Sequence, residues 1–325
     1  MISANPLTDW QEAESTKGPT LMLSKYKFHC TLAVAFSMFP QLIISRAFAV
    51  WGSGSVAFLL AFCFPLFGSG QSARLIFADE FDGAEDAAFD SKLWTGEIGG
   101  GGWGNQELQY YTVDRKNVRL DGKGNLEIRA VELPAETTLN CWYGKCRYAS
   151  ARLITKGKFQ FTYGRAESRI SLPEGTGVWP AFWMLGSDVD QKGWPLSGEI
   201  DIMEFIGREP TSIFGTLHGP GYSGEKSIGN STFVRRKQRT GARFHIFAVE
   251  WEPTEIRWYV DEKLYHKVTP KDLPAGTKWV FDKPFFLILN FAVGGNLPGS
   301  PDTKTRFPQT MLVDYVRVTS ARPMN

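Results

Sequence analysis

Short runs in which apolar and polar residues alternate are the feature that most constrains the fold of this chain. A period of two is what a strand with one buried face requires, and each run is bounded by Gly, Pro, Asp or Asn. Helical periodicity is weak, and only residues 270–273 predict a single turn. We therefore predict an all-β fold, an antiparallel sandwich of two curved sheets with a concave cleft. The runs are 125–130, 157–163, 165–170, 244–251, 256–260, 285–293 and 311–318, with hairpin turns at 121–125 and 260–264.

The N-terminal part of the chain has a different character. An apolar run at 31–51, interrupted by Arg46, is followed by a second apolar run at 56–67. The second run leads into small residues, as in a signal peptide before its cleavage site. We predict that residues 1–73 are a leader and that residues 74–325 form one domain. If translation starts at Met38, Arg46 supplies the positive charge that precedes the apolar part of a signal peptide. The expected location is secreted, extracellular or periplasmic. The alternative is a membrane anchor formed by residues 31–51.

The charge balance and the aromatic content narrow the class of partner. The chain has 36 basic and 34 acidic residues, a formal net charge of +2, which gives no electrostatic case for nucleic acid. Aromatic residues make up 14% of the chain, including 11 Trp, and aromatic rings suit the flat apolar faces of sugars. We expect a monomer whose mature domain does not insert stably into membranes.

Two cysteines lie close together within the predicted domain. Cys141 and Cys146 frame a short loop, and in an exported protein they can close a small disulfide hairpin. The alternative is a pair of reduced cysteines. A zinc site is disfavoured, because neither His nor a further Cys lies near them in sequence. Cys30 and Cys63 lie in the predicted leader.

The segment 197–205 carries three acidic residues. In a strand, residues two apart share a face, so Glu199 and Asp201 point the same way while the isoleucines beside them face the core. Glu204 has the opposite parity. A β-bulge near Met203 would return Glu204 to the face of the other two acids.

Such a set of carboxyl groups suits the hydrolysis of glycosidic bonds. One carboxylate must be ionised to attack the anomeric carbon, and another carboxyl must be protonated to release the leaving sugar. A separation of about 5–5.5 Å between them is typical of retaining enzymes. Two alternatives are an exposed acidic edge strand and a calcium site. The first is weakened because no Lys or Arg balances the cluster, and the second because a straight strand rarely wraps an ion.

The pattern Glu-x-Asp-x-x-Glu at 199–204 resembles the motif of glycoside hydrolase family 16, and most closely its laminarinase-like branch. The resemblance runs from about residue 76 to residue 318 and implies a β-jelly roll that cleaves β-1,3-glucan internally. Bacterial lichenases commonly have one residue fewer before the last Glu. Further matching segments are 102–112, 178–185, 215–223 and 291–296.

The resemblance also implies roles for individual residues. Glu199 matches the nucleophile, Asp201 the assisting carboxylate and Glu204 the general acid/base. Trp179 and Trp183 match tryptophans that face the sugar; core packing is the alternative. The residues implied to bind substrate are Trp103, Asn105, Glu107, Arg152, Trp179, Trp183, Trp194, His218 and Asn290.

The chemistry requires no cofactor, but the resemblance implies a structural calcium ion. Its ligands would be backbone carbonyls near Glu80 and Gly124 and the carboxylate of Asp314. Other functions remain open at this point. They are a mixed-linkage glucanase, a galactanase or transglycosylase on the same scaffold, and a non-catalytic glucan-binding module. The last class tends to lose the pair of glutamates, which this chain retains.

Overall fold

The computed structural model describes residues 73–234 and 243–321, all within the unit Phe67–Asn325. The predicted leader, with Cys30 and Cys63, therefore lies outside the described residues apart from its last position. Within the described ranges, no helix is long and apolar enough to cross a membrane.

In the described residues, the strands form a ten-stranded sheet, a seven-stranded sheet and a small hairpin. The strands are β1 (Leu75–Asp79), β2 (Thr95–Gly96), β3 (Gln109–Tyr111), β4 (Val118–Leu120), β5 (Leu126–Glu132), β6 (Asn140–Cys141), β7 (Gly144–Lys145), β8 (Tyr148–Ser150), β9 (Arg152–Ile154), β10 (Gly164–Ser171), β11 (Val178–Gly186), β12 (Glu199–Glu204), β13 (Ser212–His218), β14 (Ile228–Phe233), β15 (Phe244–Glu252), β16 (Glu255–Val260), β17 (Lys263–Val268), β18 (Phe285–Val293) and β19 (Gln309–Ser320). One helical turn, α1 (Val189–Lys192), precedes β12.

The two large sheets pack face to face, as predicted for a sandwich. The seven-stranded sheet has the order β14-β13-β12-β11-β18-β9-β2. The ten-stranded sheet has the order β17-β16-β15-β10-β19-β5-β8-β3, with β1 also pairing with β19 and β4 with β5. The pairing is antiparallel except between β3 and β8. The predicted all-β class is confirmed.

The core lies between the sheets and follows the alternation of the strands. In β5 the buried residues alternate with partly exposed ones, so one face lies in the core and the other meets solvent. All nine residues of β18 are buried, because its core face packs between the sheets and its other face lies beneath the residues of the site described below. We call that other side of the seven-stranded sheet the cleft face.

One predicted strand is wrong. Residues 157–163 form a turn and an irregular segment that meets the sheet only through a bridge between Phe161 and Phe285. The amides of Lys158 and Phe159 donate to the Thr155 carbonyl, so the backbone closes on itself instead of joining a ladder. The alternation arose because the rings of Phe159 and Phe161 both pack against the core. Burial was predicted correctly there, but strand pairing was not.

The predicted turns are confirmed. Residues 121–125 connect β4 to β5, and a two-residue turn connects β16 to β17. Both central residues of the second turn, Asp261 and Glu262, have positive φ angles of 48° and 64°. Positive φ at both positions is the geometry that joins twisted antiparallel strands. Pro270–Asp272 forms the predicted single helical turn, a 3₁₀ turn with a capping box at Thr269.

Candidate active site

Strand β12 lies inside the seven-stranded sheet and carries the predicted bulge. Asp201 pairs with Thr216 of β13, and Glu204 pairs with Phe214. Two residues, Ile202 and Met203, therefore lie opposite the single residue Gly215. The bulge changes the parity of Glu204, so that its side chain lies on the cleft face with that of Glu199.

Glu199 and Asp201 share a histidine contact. Nε2 of His218 lies 3.7 Å from Oε1 of Glu199 and 3.2 Å from Oδ2 of Asp201. On its other side, Glu199 accepts a hydrogen bond of 3.0 Å from Nε1 of Trp194. Asp201 is 4% exposed. Position 201 is therefore largely closed to solvent, whereas Glu199 remains partly accessible.

The hydrogen bonding of His218 indicates its tautomer. Nδ1 accepts a hydrogen bond of 3.2 Å from the backbone N–H of Gly224. In the neutral ring the proton is then on Nε2, the ring nitrogen that lies near both carboxyl groups. Glu199, Asp201 and His218 place possible metal ligands within 4.8 Å of one another.

Glu204 has a separate set of partners. Its Oε1 accepts a hydrogen bond of 3.1 Å from Nε1 of Trp179, and its Oε2 accepts one of 3.4 Å from the Thr216 hydroxyl. The two ends of the carboxylate strand are thus held by different tryptophans, Trp194 at Glu199 and Trp179 at Glu204.

The three carboxyl groups all favour protonation more than free acids do. Burial raises the pKa of Glu199 to about 8, with a further contribution from the charge of Asp201. Burial and the charge of Glu204 raise the pKa of Asp201 well above its usual range, and a hydrogen bond with Glu199 offsets this in part. Burial also raises the pKa of Glu204, against a lowering by His218. The cluster therefore holds protons at neutral pH, as an acid–base pair requires.

The remainder of the cleft face carries a stack of two tryptophans and an arginine. The guanidinium of Arg152 lies 4.9 Å from the ring centres of both Trp103 and Trp183. Its Nε donates to Oε2 of Glu97 at 2.5 Å. Arg152 is thus held between rings by a partner that the sequence did not indicate, Glu97.

Glu107 and Asn290 are buried and take part in one hydrogen-bond network. The carboxylate of Glu107 accepts from Asn105 (3.4 Å), Gln109 (2.6 Å) and Tyr111 (3.1 Å). Asn290 donates to the Tyr111 hydroxyl at 3.0 Å and accepts from Nε1 of Trp183 at 2.7 Å. Burial leaves Glu107 4% and Asn290 6% exposed, so both mainly support the aromatic residues around them.

Gln109 and Tyr111 were missed in the sequence, although a signal was present. Positions 107, 109 and 111, in β3 and just before it, are each two residues apart, and all three side chains are buried. Period-two counting from Glu107 would have placed the three side chains together. Glu97 and Thr216 offered no such signal, because their partners lie far away in the chain.

The cysteine pair forms a disulfide that closes the β6–β7 hairpin. The loop between the cysteines presents Trp142, which is 50% exposed. Its Nε1 donates to the Glu107 carbonyl at 2.8 Å, and the Tyr143 hydroxyl donates to the Leu108 carbonyl at 2.6 Å. The hairpin therefore braces the segment that carries Glu107.

The residues predicted for calcium meet at one junction of the ten-stranded sheet. Strand β1 ends near Glu80, β5 begins after Gly124, and both pair with the same edge of β19 on either side of Asp314. Asp314 is the extra residue of a bulge opposite β10. Its carboxylate accepts from Arg169 at 2.5 Å, and the Glu80 carboxylate pairs with Arg317 at 2.7 Å. Carboxylate and carbonyl oxygens are the kinds of ligand that a hard cation takes, and the calcium site remains a prediction.

A β-sandwich whose sheet carries paired carboxyl groups among tryptophans defines a class, the enzymes that act on carbohydrate chains. The model of "Glycosyl hydrolases family 16" matches residues 104–317, and the chain belongs to that family.

Three relatives illustrate the similarity. The chain is 42% identical to a beta-glucanase of Rhodothermus marinus, over 81% of this chain and 93% of that protein. It is 38% identical to a glucan endo-1,3-beta-glucosidase of Cryptopygus antarcticus, over 80% and 95%. The laminarinase catalytic domain of Thermotoga maritima MSB8 superposes with a TM-score of 0.70 at 45% identity, covering 78% of this chain and 99% of that domain.

Proposed function

We propose that this protein is a retaining endo-hydrolase of β-1,3-glucan. The observation that carries the proposal is the bulged strand β12, which places Glu199 and Glu204 on one face. Each of the two carboxyl groups accepts a hydrogen bond from a different tryptophan. Relatives named for cleavage of β-1,3-glucan support the choice of substrate. The rings of Trp103, Trp179 and Trp183 offer faces on which glucose units can stack.

In the proposed mechanism, Glu199 attacks the anomeric carbon while Glu204 gives its proton to the departing sugar oxygen. A covalent glycosyl–Glu199 intermediate forms, and Glu204 then takes a proton from the water that hydrolyses it. Asp201 is the least exposed of the three acids, and its hydrogen bond with Glu199 favours the ionised form of Asp201. Asp201 can therefore take the proton of Glu199 along that bond, which leaves Glu199 ionised for the attack.

The variant Glu199→Gln tests the proposal. We expect it to fold and to bind laminarin, but to lose at least about 10³-fold in kcat because an amide cannot act as the nucleophile. The matched control is Glu136→Gln, an exposed glutamate in the connection between β5 and β6, which should keep full activity. Normal turnover by Glu199→Gln would refute the assignment.

The linkage and the stereochemistry are tested with the parent protein. Reducing ends are measured with laminarin, lichenan, agarose and xyloglucan, and the anomer first released is read by NMR. A retained anomer on laminarin is expected, whereas an inverted one would contradict a nucleophilic Glu199. Faster cleavage of lichenan would favour a mixed-linkage enzyme, a candidate supported by relatives named endo-1,3-1,4-beta-glycanase at 29–30% identity.

We also propose that the protein is exported. The Cys141–Cys146 disulfide supports this, because such bonds persist in oxidising compartments. Expression of the full chain, followed by N-terminal sequencing of the protein in the medium or periplasm, tests it. Recovery only in the cytosolic or membrane fraction would contradict export of a mature domain.

A further inference from the structure

A tryptophan from the ten-stranded sheet reaches through the core to the carboxylate strand. Trp258 lies on β16, is 0% exposed, and donates a hydrogen bond of 2.7 Å from Nε1 to the backbone carbonyl of Asp201. Asp201 is the last residue before the bulge at Ile202–Met203. The indole thus contacts the backbone at the point where β12 departs from regular pairing.

The same tryptophan fits closely against the residue opposite the bulge. A Cβ atom on Gly215 would lie 2.5 Å from Cδ1 of Trp258 and 2.4 Å from the Tyr265 hydroxyl oxygen. Both distances are shorter than real Cβ contacts, so only glycine fits there without movement of its neighbours. The ring of His266 stacks on Trp258 with 4.8 Å between centroids. The indole is therefore held on two sides as well as by its hydrogen bond.

We infer that Trp258 is a positioning residue, which holds the bulge of β12 in the arrangement that directs Glu204 into the cleft. The inference rests on the proposed function, because it assigns Glu204 the role of general acid. A bulge interrupts the ladder and bends its strand, so the residues after it depend on contacts other than regular strand pairing. The bond from Trp258 supplies such a contact.

Glu204 depends on this contact more than Glu199 does. Glu199 and Ile200 pair in register with His218 and Leu217, so regular pairing positions the nucleophile. Glu204 lies beyond the bulge. A relaxed bulge would therefore displace the acid while leaving the nucleophile and the aromatic residues in place.

The test compares the same substitution at two buried tryptophans. Trp258→Phe keeps an aromatic ring but removes the N–H. The control is Trp251→Phe, since Trp251 is also 0% exposed and donates from Nε1 to a backbone carbonyl, that of Phe281, at 2.9 Å. Trp251 packs among Phe161, Tyr163 and Phe285, and its hydrogen bond is to the Phe281 carbonyl rather than to the backbone of β12.

On laminarin we expect Trp258→Phe to lower kcat by about ten- to hundredfold, the range expected for a misplaced catalytic group. KM should change by less than about twofold, because the sugar-binding residues are untouched. Trp251→Phe should lower the melting temperature but leave both constants near those of the parent.

A second substrate separates positioning of the acid from a general loss of structure. On a 2,4-dinitrophenyl β-glycoside of laminaribiose the leaving group needs no proton, so the first step no longer depends on the acid. The loss in kcat/KM, which reports that step, should therefore shrink to less than about threefold in Trp258→Phe, whereas kcat still depends on Glu204 as the base that activates water. If Trp258→Phe does not fold, site-specific benzothienylalanine keeps the shape of the ring and removes only the N–H.

The inference is overturned if the Trp258 variant retains the parental kcat on laminarin. It is also overturned if the variant loses as much kcat/KM on the activated glycoside as on laminarin, or if Trp251→Phe loses as much activity as Trp258→Phe. A parent protein that cleaves neither substrate would instead overturn the proposed function.

Discussion

Each acidic residue of β12 has its own surroundings, and these separate their chemical behaviour. Glu199 meets Trp194 and His218, whereas Glu204 meets Trp179 and Thr216. Asp201 lies between them with the least exposure. Burial is the largest cause of the raised pKa in all three, so removing water from the cluster affects its protonation more than any single charge does.

The raised pKa of Glu199 predicts a pH-dependent cost to folding. The group contributes fully to stability below its ordinary pKa of 4.5, and that contribution is lost as the pH rises to about 8. A glutamine cannot ionise. We therefore expect the difference in free energy of unfolding, Glu199→Gln minus parent, to rise by about 1–2 kcal/mol between acidic and alkaline pH. One pKa unit corresponds to about 1.4 kcal/mol, and the effect of the full shift is reduced because the three acids share protons.

Urea unfolding of both proteins, below and above this window, measures the difference. Glu250→Gln gives a control of opposite sign. Burial alone would raise the pKa of Glu250, but hydrogen bonds from Tyr259 and Arg257 lower it. Its contribution is therefore present above the ordinary pKa and lost as the pH falls. A difference between Glu199→Gln and the parent that does not change with pH would contradict the prediction.

At the scale of the element, the bulge decides what β12 presents to the cleft. From Glu199 to Glu204 the strand takes five steps, while its partner β13 takes four from His218 to Phe214. The extra residue is accommodated in the core, where Ile202 is 1% and Met203 0% exposed. In a strand without the bulge, the side chain of Glu204 would point into the core.

Deleting Met203 should therefore preserve the face of Glu204. The shortened β12 would match β13 residue for residue, so all three acids keep one parity. We expect a folded protein with reduced but measurable activity on laminarin, destabilised by about 2–5 kcal/mol through the loss of a buried side chain.

Deleting Ile200 removes one residue from the same strand but turns Glu199 towards the core. We expect no detectable activity from that control. Circular dichroism checks that each variant folds before rates are compared. A folded Met203 deletion with no activity, or an active Ile200 deletion, would show that parity is not the property that matters.

At the scale of the whole molecule, the two sheets have different tasks. The seven-stranded sheet carries the acids and the tryptophans, and the ten-stranded sheet supports it from behind through residues such as Trp258. Strands β1 and β5 pair with the same edge of β19, one on each side of Asp314. The predicted calcium ion would join three segments that are distant in the chain.

If calcium binds there, it should stabilise the folded protein. We expect the melting temperature to be higher with calcium than with EDTA, and each tenfold rise in free calcium above the dissociation constant adds about 1.4 kcal/mol. Asp314→Asn should abolish this increment, whereas Asp282→Asn, at an exposed position, should keep it. Equal melting temperatures of the parent in calcium and in EDTA would exclude the site.

Local alternation predicted six strands, because the face of each side chain follows from that of the residue before it. These strands are β5, β10, β15, β16, β18 and β19. The same rule failed at residues 157–163, since alternation reports which side chains are buried and not where the backbone finds hydrogen-bond partners. It succeeded for Glu199 and Asp201, and it would have succeeded for Glu107, Gln109 and Tyr111.

The sequence by itself determined the all-β class, the three acids and the need for a bulge before Glu204, because these follow from parity along a single strand. Only the tertiary structure decided what surrounds each acid. The contacts of Trp258 with Asp201, Trp179 with Glu204 and Arg152 with Glu97 join residues tens of positions apart. Such contacts depend on which strands become neighbours and how the two sheets stack, and no local pattern in the chain records that choice.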